Sequence, residues 1–342
     1  MDSTTLEPSA TAAANARQRQ PWQRARLPLI AAPMLRVSGP EWIVAACRAG
    51  VIGSFPTVNA RTTEELDQWM GQIRAALDQD PRGARACAPF CPNLIMSQPR
   101  YRDRLHHDLD CLVRHRVEMV ITSVGSPAPV LGPLHDIGCK VFADVASVEH
   151  AGKAIRAGAD GLVLLTAGAG GQTGWANGMA FVRAVRAFYD GPVVLAGGIA
   201  DGHAMWAAQV LGCDLVSMGT KFIATEESMA DAAHKSMIVG SSMDDVLRTR
   251  AFTGLDANML RPSIEAAGLN PAELDETVSR EAASARFGGG PKKRVGPQRW
   301  ADIFSAGHSV SGVRGVGKVA DVVEQTLREY QDAKSLTRKL LG

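Results

Sequence analysis

Short runs of apolar residues alternate with amphipathic segments from Leu27 to about Ala224. Each run is short and mostly apolar, as expected of a strand buried on both faces, whereas the segments between them carry apolar residues at helical spacing. Strands that alternate with helices favour an α/β fold with a parallel sheet. The pattern predicts eight strands, at Leu29–Ala32, Val51–Ser54, Ala84–Pro89, Val117–Thr122, Lys140–Ala143, Gly161–Leu165, Val193–Leu195 and Leu215–Met218. The helices between them include Thr62–Leu77, Ser147–Ala157, Met179–Phe188 and Gly202–Leu211, with Thr62 and Ser147 as N-caps.

A repeated pattern supports the number of strands. Residues 49–53, 157–163 and 211–216 each pass from the end of a helix through a glycine into an apolar run. Glycine adopts the left-handed conformation after a helix at little cost, so each repeat is predicted to be an αβ turn. Eight strands of this kind predict a closed (β/α)8 TIM barrel. The competing doubly wound sheet lacks its signature, because no strand leads into Gly-x-Gly-x-x-Gly with an acidic residue about 20 positions on.

The strand pattern stops after Ala224, and the chain that follows is interpreted as a helical excursion after the eighth strand. Glu226–Arg250 and Asn270–Ala283 have helical character, and Val316–Tyr330 resembles a final amphipathic helix that closes the barrel. A length of 342 residues suits one barrel with an insertion. We therefore predict a disordered tail over residues 1–22, a barrel over 23–225 and 310–342, and a helical cap over 226–309.

Composition and charge exclude several classes of function. The net charge is +2 with dispersed basic residues, so neither a nucleic-acid footprint nor a membrane-surface footprint is present. The short basic run Pro291–Arg294 is interpreted as a solvated loop. The six cysteines lack the paired spacing of a zinc site and are predicted to be free thiols without metal, in a reducing compartment. No signal peptide or membrane-length segment is evident, so a cytoplasmic location is expected.

Three glycine-rich loops follow predicted strands. Ala196-Gly197-Gly198-Ile199 follows the seventh strand and Met218-Gly219-Thr220 follows the eighth, and we call these two segments the glycine turns. Such turns can expose backbone N–H groups, and the loops after these two strands are the usual phosphate site of barrels. The alternative is that both are merely tight turns. The third loop, residues 166–175 after the sixth strand, suits close approach to a ligand, or alternatively forms a flexible lid.

Together these residues resemble the nitronate monooxygenase family, formerly called 2-nitropropane dioxygenases, and more distantly the flavin-dependent enoyl-ACP reductases. Ala32-Pro33-Met34 is similar to the family's motif beside the flavin ring, Asn93 to its flavin-contacting asparagine, and Ser305–Gly312 to its C-terminal segment. The resemblance implies FMN, bound without a covalent link, with the glycine turns at its phosphate. The expected cofactor residues are Ala32, Pro33, Met34, Asn93, Asp144, Gly171, Ala196, Gly197, Gly198, Met218, Gly219 and Thr220, of which Asp144 departs from the family pattern, where a basic or neutral residue is expected.

One departure from the family pattern changes the expected chemistry. The family has Gly-His-x-Gly in the sixth-strand loop, with the histidine as base or proton donor, whereas this chain has Gln172 in Gly171-Gln172-Thr173-Gly174. Glutamine hydrogen bonds but does not titrate, so it can orient a substrate as the catalytic residue without removing a proton. The expected reaction is the oxidation of pre-formed alkyl nitronates with O₂ to a carbonyl compound and nitrite. The expected substrate pocket comprises Gln172, Thr173, Trp175 and His234.

Other residues leave alternatives open. Asp144, after the fifth strand, would disfavour an anionic reduced flavin, so ribityl hydroxyls or a neighbouring loop are its expected partners. His234 could supply a proton if its helix folds over the barrel mouth, or lie on a helix surface, whereas His203 and His308 are interpreted as structural. Trp175 is expected to form a wall of the substrate pocket.

Two other functions compete with nitronate oxidation. The first is an NAD(P)H-dependent FMN reductase acting on an enoyl thioester or quinone, since flavin reduction by nicotinamide needs no histidine base. The second is a non-catalytic FMN-binding protein. The expected partners are a small-molecule substrate and O₂, with NAD(P)H as an additional candidate. Because barrels of this kind often pair through apolar outer helices, a homodimer is the assembly we consider.

Overall fold

Eight parallel strands close into a barrel in the computed structural model, which describes residues 20–83, 86–97, 102–288 and 296–341. The order around the barrel follows the chain, except that the short strand β7 (Gly171–Gln172) lies outside it. The predicted TIM barrel is therefore confirmed. The barrel strands are β1 (Leu29–Ala31), β2 (Ile52–Pro56), β3 (Phe90–Ile95), β4 (Met119–Ser123), β5 (Lys140–Val145), β6 (Gly161–Leu165), β8 (Val193–Ala196) and β9 (Leu215–Met218).

Helices cover the outside of the barrel, and the local signals that place them are confirmed. The Thr62 and Ser147 side chains each accept a hydrogen bond of 3.1 Å from the backbone N–H three residues on, as N-caps do. Gly50, Gly158 and Gly212 end their helices in the left-handed conformation, with φ of +92°, +101° and +111°. The helices are α1 (Pro40–Ala49), α2 (Thr63–Asp78), α3 (Arg102–Arg114), α4 (Ala128–Asp136), α5 (Val148–Ala157), α6 (Gly178–Arg186), α7 (Gly202–Leu211), α8 (Thr220–Ile223), α9 (Ala232–Gly240), α10 (Arg261–Ala266), α11 (Arg280–Phe287) and α12 (Val319–Leu340).

The last helix, α12, closes the outer layer by packing between α7 and α1. Gly202 at the start of α7 allows the close approach, because a Cβ at this position would overlap the backbone of Tyr330. The Trp206 indole N–H donates to Thr337 Oγ1 at 2.8 Å and joins the same two helices. The predicted closing role of this segment is confirmed, and the helix extends beyond the predicted end at Tyr330 to Leu340.

The third strand begins later than predicted. Ala84–Pro89 was expected to form it, but residues 84 and 85 lie outside the described part and the strand starts at Phe90. Cys87 and Ala88 are buried without sheet pairing, and Ala88 N–H donates to the Cys47 carbonyl, so the apolar run reflects burial beneath the barrel. Asn93 consequently lies within β3, where it pairs with Pro56 and Ile121.

The segment after the eighth barrel strand is not purely helical, so this part of the prediction is wrong. β10 (Val246–Thr249) and β11 (Ala257–Leu260) pair antiparallel, and β11 also pairs with β7 (Gly171–Gln172). Of the segment expected to be helical over Asn270–Ala283, only a 3₁₀ turn at Pro271–Glu273 and the start of α11 have helical structure. Strands of four residues are too short to show a clear alternation, which explains the error.

The N-terminal segment plugs the bottom of the barrel. Of the tail predicted to be disordered, residues 1–19 lie outside the described part, and Pro21–Arg24 forms a 3₁₀ turn. The Trp22 ring meets Phe142 edge to face, with 5.3 Å between centroids. Above this contact, apolar side chains from the strands fill the barrel interior. The barrel is thus closed at its amino end, and its open space lies at the carboxyl ends of the strands.

All six cysteines are buried free thiols, as predicted. The predicted solvated loop at Pro291–Arg294 lies outside the described residues. None of the helices that the structure describes is both long enough and apolar enough to cross a membrane.

Candidate active site

A cavity of about 1660 Å³ opens at the carboxyl ends of the barrel strands, where TIM-barrel enzymes place their active sites. Its floor is formed by interior strand side chains, including Asn93, Asp144 and Ser217. Its walls are the other loops after the strands, and its roof comes from the loop after β6, the insertion (residues 226–309) and the C-terminal segment. Pockets for one small ligand usually measure about 300–1,000 Å³. The cavity therefore has room for a cofactor and a substrate together.

The first glycine turn presents unused backbone donors to the cavity. Gly197 and Gly198 both have positive φ, at +113° and +76°. Their N–H groups donate to no group in the described part of the chain, and Gly198 is exposed. Successive N–H groups around left-handed residues form a concave anion site. This turn therefore has the geometry expected of a phosphate-binding loop.

The C-terminal segment joins the second glycine turn to the loop after β6. Gly307 N–H donates to Thr220 Oγ1 at 2.8 Å, and His308 N–H donates to the Gly168 carbonyl at 3.0 Å. A Cβ on Gly307 would overlap the Gly168 carbonyl, so these backbones meet without space for a side chain. The segment Ser305–Gly312, identified by its resemblance to the family, thus encloses one side of the cavity.

The loop after β6 is anchored, which argues against a flexible lid. Asn258 Nδ2, from β11, donates to the carbonyls of Ala167 and Ala169 at 2.8 and 2.7 Å. Thr173 N–H donates to the Asp256 carbonyl at 3.0 Å, and β7 pairs with β11. These bonds fix the backbone on both sides of Gln172. The insertion therefore fixes the position of Gln172.

Replacing Asn258 with alanine is expected to lower the free energy of unfolding by about 3 kcal/mol, because two loop carbonyls lose their donor in a buried position. Urea unfolding measures this loss. Asn177→Ala is the matched control, since Asn177 is exposed and only caps α6. Loss of this cap should lower the free energy of unfolding by about 1 kcal/mol. Equal losses in the two variants would show that Asn258 does not anchor the loop.

Gln172 lines the cavity, and its side-chain amide makes no hydrogen bond with the residues that the structure describes. The amide is therefore available to a ligand. Beside it lies Trp300, whose ring approaches to 3.6 Å of the position that a Cβ on Gly171 would occupy. Trp300 itself has a positive φ of +66°, an uncommon conformation for a residue with a side chain.

His234 is buried in the cavity wall and does not lie on a helix surface. Its Nε2 lies 3.2 Å from the Ser305 carbonyl. Because a carbonyl only accepts, Nε2 carries the proton and Nδ1 keeps its lone pair. The ring stacks on Phe304 with 4.4 Å between centroids. Burial lowers the pKa of His234, so the imidazole is neutral near pH 7.

Asp144 lies on the cavity floor. Its carboxylate has no hydrogen bond or ion pair among the described residues, so the part of the chain that the structure describes shows no bond to a neighbouring loop, one of its two expected partners. Burial raises the pKa of the Asp144 carboxyl to about 7, because no nearby cation compensates the lost hydration of the charged form.

Three expected site residues lie outside the cavity. Met218 is buried in the core and contributes its carbonyl, which accepts from Ala32 N–H at 3.0 Å. The Thr173 hydroxyl donates to the Thr166 carbonyl at 2.7 Å and braces the loop. Trp175 is 72% exposed, because the backbone at the preceding Gly174 presses against the end of β6 and directs the chain outward. The expected residues that do line the cavity are Ala32, Pro33, Met34, Asn93, Asp144, Gly171, Gln172, Ala196, Gly197, Gly198, Gly219, Thr220 and His234.

The outer part of the cavity has a basic character that sequence analysis did not identify. In the described chain six arginines line the cavity, against three acidic residues. Glu65 and Glu281 are the acidic residues of the outer part, whereas Asp144 lies on the floor. Segments far apart in sequence supply these charges, and each looks like an ordinary surface residue in its own segment. The arginines are Arg36, Arg61, Arg104, Arg280, Arg286 and Arg299.

Comparison with known proteins agrees with this geometry. The nitronate monooxygenase family model matches residues 22–329. A nitronate monooxygenase of Pseudomonas aeruginosa is 29% identical over 268 residues, covering 68% of this chain and 76% of that protein. A (3aS,4S,5R,7aS)-5-hydroxy-7a-methyl-1-oxo-octahydro-1H-indene-4-carboxyl-CoA dehydrogenase of Rhodococcus jostii is 25% identical, covering 82% of this chain and 74% of that protein.

Among solved structures, FabK from Thermotoga maritima superposes with a TM-score of 0.75 at 26% identity, covering 93% of this chain and 97% of that chain. Family and fold therefore agree over nearly all of the described residues. The chain belongs to the nitronate monooxygenase family and is an oxidoreductase of this flavin-dependent class.

Proposed function

We propose that the cavity binds FMN and that the enzyme oxidises alkyl nitronates with O₂ to a carbonyl compound and nitrite. The observation that carries this proposal is Gln172, a non-titrating amide that faces the cavity and has no hydrogen-bond partner in the described part of the chain. A nitronate has already lost its α-proton, so its oxidation requires no base at this position. A neutral nitroalkane would need one.

The residues in the cavity are suited to FMN. The free N–H groups of Gly197 and Gly198 would hold the phosphate. A Cβ on Gly219 would lie 3.5 Å from the side chains of Ala32 and Met34, at van der Waals contact. Because glycine has no Cβ, the space beside these two side chains stays open. When bound, FMN would supply the redox chemistry, taking electrons from the nitronate and passing them to O₂.

The chain's own contribution to the reaction is to bind and orient the substrate. The Gln172 amide can donate to a nitro oxygen, a charge-assisted bond because the nitronate is an anion. Its position is set by the β7–β11 pairing. His234 Nδ1 offers a neutral acceptor in the same cavity, held by the Ser305 carbonyl.

The direct test mixes the FMN-loaded protein with an alkyl nitronate in air and measures oxygen uptake and nitrite. We expect turnover of the nitronate and much slower turnover of the neutral nitroalkane at the same pH. Gln172→Ala is expected to lower kcat/KM about 10–100-fold, the value of a hydrogen bond to a charged group. Trp175→Ala, exposed on the same loop, should leave kcat/KM unchanged. If no nitronate causes oxygen uptake, the proposed reaction is wrong.

A second candidate is an NAD(P)H-dependent FMN reductase or dehydrogenase acting on an acyl or enoyl thioester. The size of the cavity and its arginine-rich outer wall favour it, because both suit a long anionic substrate. One relative is a carboxyl-CoA dehydrogenase. Rapid anaerobic bleaching of the flavin by NADPH or NADH, reversed by a CoA thioester, would favour this function. Inertness to both nucleotides would favour nitronate oxidation.

A further inference from the structure

Asp144 places a carboxyl group inside the barrel, where the neighbouring layers are apolar or uncharged. It follows Phe142 by two residues on β5, so both side chains point inward, and Phe142 is fully buried beneath it. On β6 it pairs with Val163, and on β4 the corresponding position is Ser123. All three side chains line the cavity floor.

The charge of Asp144 is isolated. The residues beside it on β4 and β6 do not titrate, and in the described chain no cation contributes to its pKa. The titratable neighbour is Cys91 on β3, whose own pKa is raised well above its usual value by burial, with a smaller contribution from Asp144. Cys91 therefore stays a neutral thiol. An uncharged Asp144 carries a proton that it can donate to a group in the cavity, since its carboxyl makes no hydrogen bond among the described residues.

If FMN occupies the cavity as proposed, residues of the floor would contact the cofactor and residues of the roof would contact the substrate. Gln172, His234 and Trp300 come from the loop after β6 and from the insertion, so they form the roof. The glycine turns lie at one side, after β8 and β9. A flat ring attached to a phosphate at these turns would lie between the floor and the roof. Asp144 would then be available to the cofactor, and Gln172 to the substrate.

We propose that Asp144 is the group through which pH controls the bound flavin: its uncharged form hydrogen bonds to the cofactor, and its ionised form opposes electron uptake. A carboxylate on the floor repels the electron-rich reduced ring, so ionisation lowers the reduction potential and weakens the hold on FMN. This inference rests on the proposed FMN binding but not on the identity of the substrate.

The test compares the wild-type protein with Asp144→Asn, which keeps shape and removes ionisation. We measure the midpoint potential of the bound flavin and the Kd for FMN between pH 6 and pH 9. At pH 6 we expect the two proteins to agree. At pH 9 the wild type should have the lower midpoint potential and an FMN Kd about tenfold higher than that of the variant. A tenfold change is the size expected for one added charge in a screened site. Glu149→Gln, which removes a charge from the exposed surface of α5 away from the cavity, should follow the wild type.

Each result has a distinct meaning. The inference would be overturned if the midpoint potential and the Kd change with pH in the same way in wild type and Asp144→Asn. FMN binding and nitronate oxidation would remain intact in that case. Weaker FMN binding by the variant at every pH would also overturn it, since Asp144 would then act through shape. Asp144→Ser supplies a second uncharged variant, and it should lose the pH dependence in the same way. Failure of FMN to bind any of the proteins would overturn both proposals.

Discussion

Replacing Gly197 with alanine is expected to raise the Kd for FMN by more than a hundredfold. At φ +113° a side chain is strained, and the added Cβ would overlap Thr166 Oγ1 and lie 2.5 Å from Ala169 N. To relieve this overlap, the first glycine turn must move away from the loop after β6. This movement destroys the arrangement of the N–H groups of the turn. We expect this arrangement to contribute more than about 2.7 kcal/mol to the free energy of FMN binding, which corresponds to about a hundredfold in Kd. Quenching of flavin fluorescence measures the Kd.

The matched control is Gly138→Ala. Gly138 has φ +78° but open space around its Cβ, and it lies in the turn between α4 and β5 at the opposite end of the barrel. This variant should lose about 1–2 kcal/mol of stability through backbone strain and bind FMN normally. If Gly197→Ala, correctly folded, binds FMN as tightly as the wild type, the first glycine turn does not hold the phosphate.

Replacing Gln172 with histidine is expected to create oxidation of neutral nitroalkanes, with a gain in kcat/KM of about 10²–10⁴-fold. The β7–β11 pairing and Asn258 fix the backbone on either side, so the imidazole enters the cavity where the amide now lies. The new activity should rise with pH through about 6.5, because only the neutral imidazole removes a proton. Nitrite release from a primary nitroalkane, freshly dissolved as the neutral form, measures the gain.

The control for this substitution is Trp175→His, which adds the same group at an exposed site on the same loop. It should give no nitroalkane activity. A Gln172→His protein that oxidises nitronates normally but gains nothing on nitroalkanes would show that position 172 does not face the reacting carbon.

The barrel and the glycine turns could be predicted from sequence because their causes are local. A strand buried on both faces must be apolar over its length, and a turn that exposes backbone N–H groups requires glycine, as at Gly197 and Gly198. The placement of Asn93 was less accurate. Burial of Cys87 and Ala88 below the barrel mimics a strand, so β3 begins later than the apolar run.

The contacts that hold the roof of the cavity could not be predicted, because they join segments that are distant in sequence. Asn258 bonds to carbonyls about ninety residues earlier in the chain, and its own strand is too short to show a pattern. Two tryptophans illustrate the same limit. Trp175 lies on the loop after β6 yet faces outward, whereas Trp300, near the end of the insertion, lines the cavity.

The glycine turns are proposed to hold the phosphate of a flavin. Parallel titrations of the purified protein with FMN and with riboflavin, which lacks the phosphate, test this proposal most directly. If the turns hold the phosphate, FMN should bind at least a hundredfold more tightly than riboflavin. Without the phosphate, several backbone N–H groups lose their anionic partner. Equal affinity for the two flavins, or no binding of either, would contradict the claim.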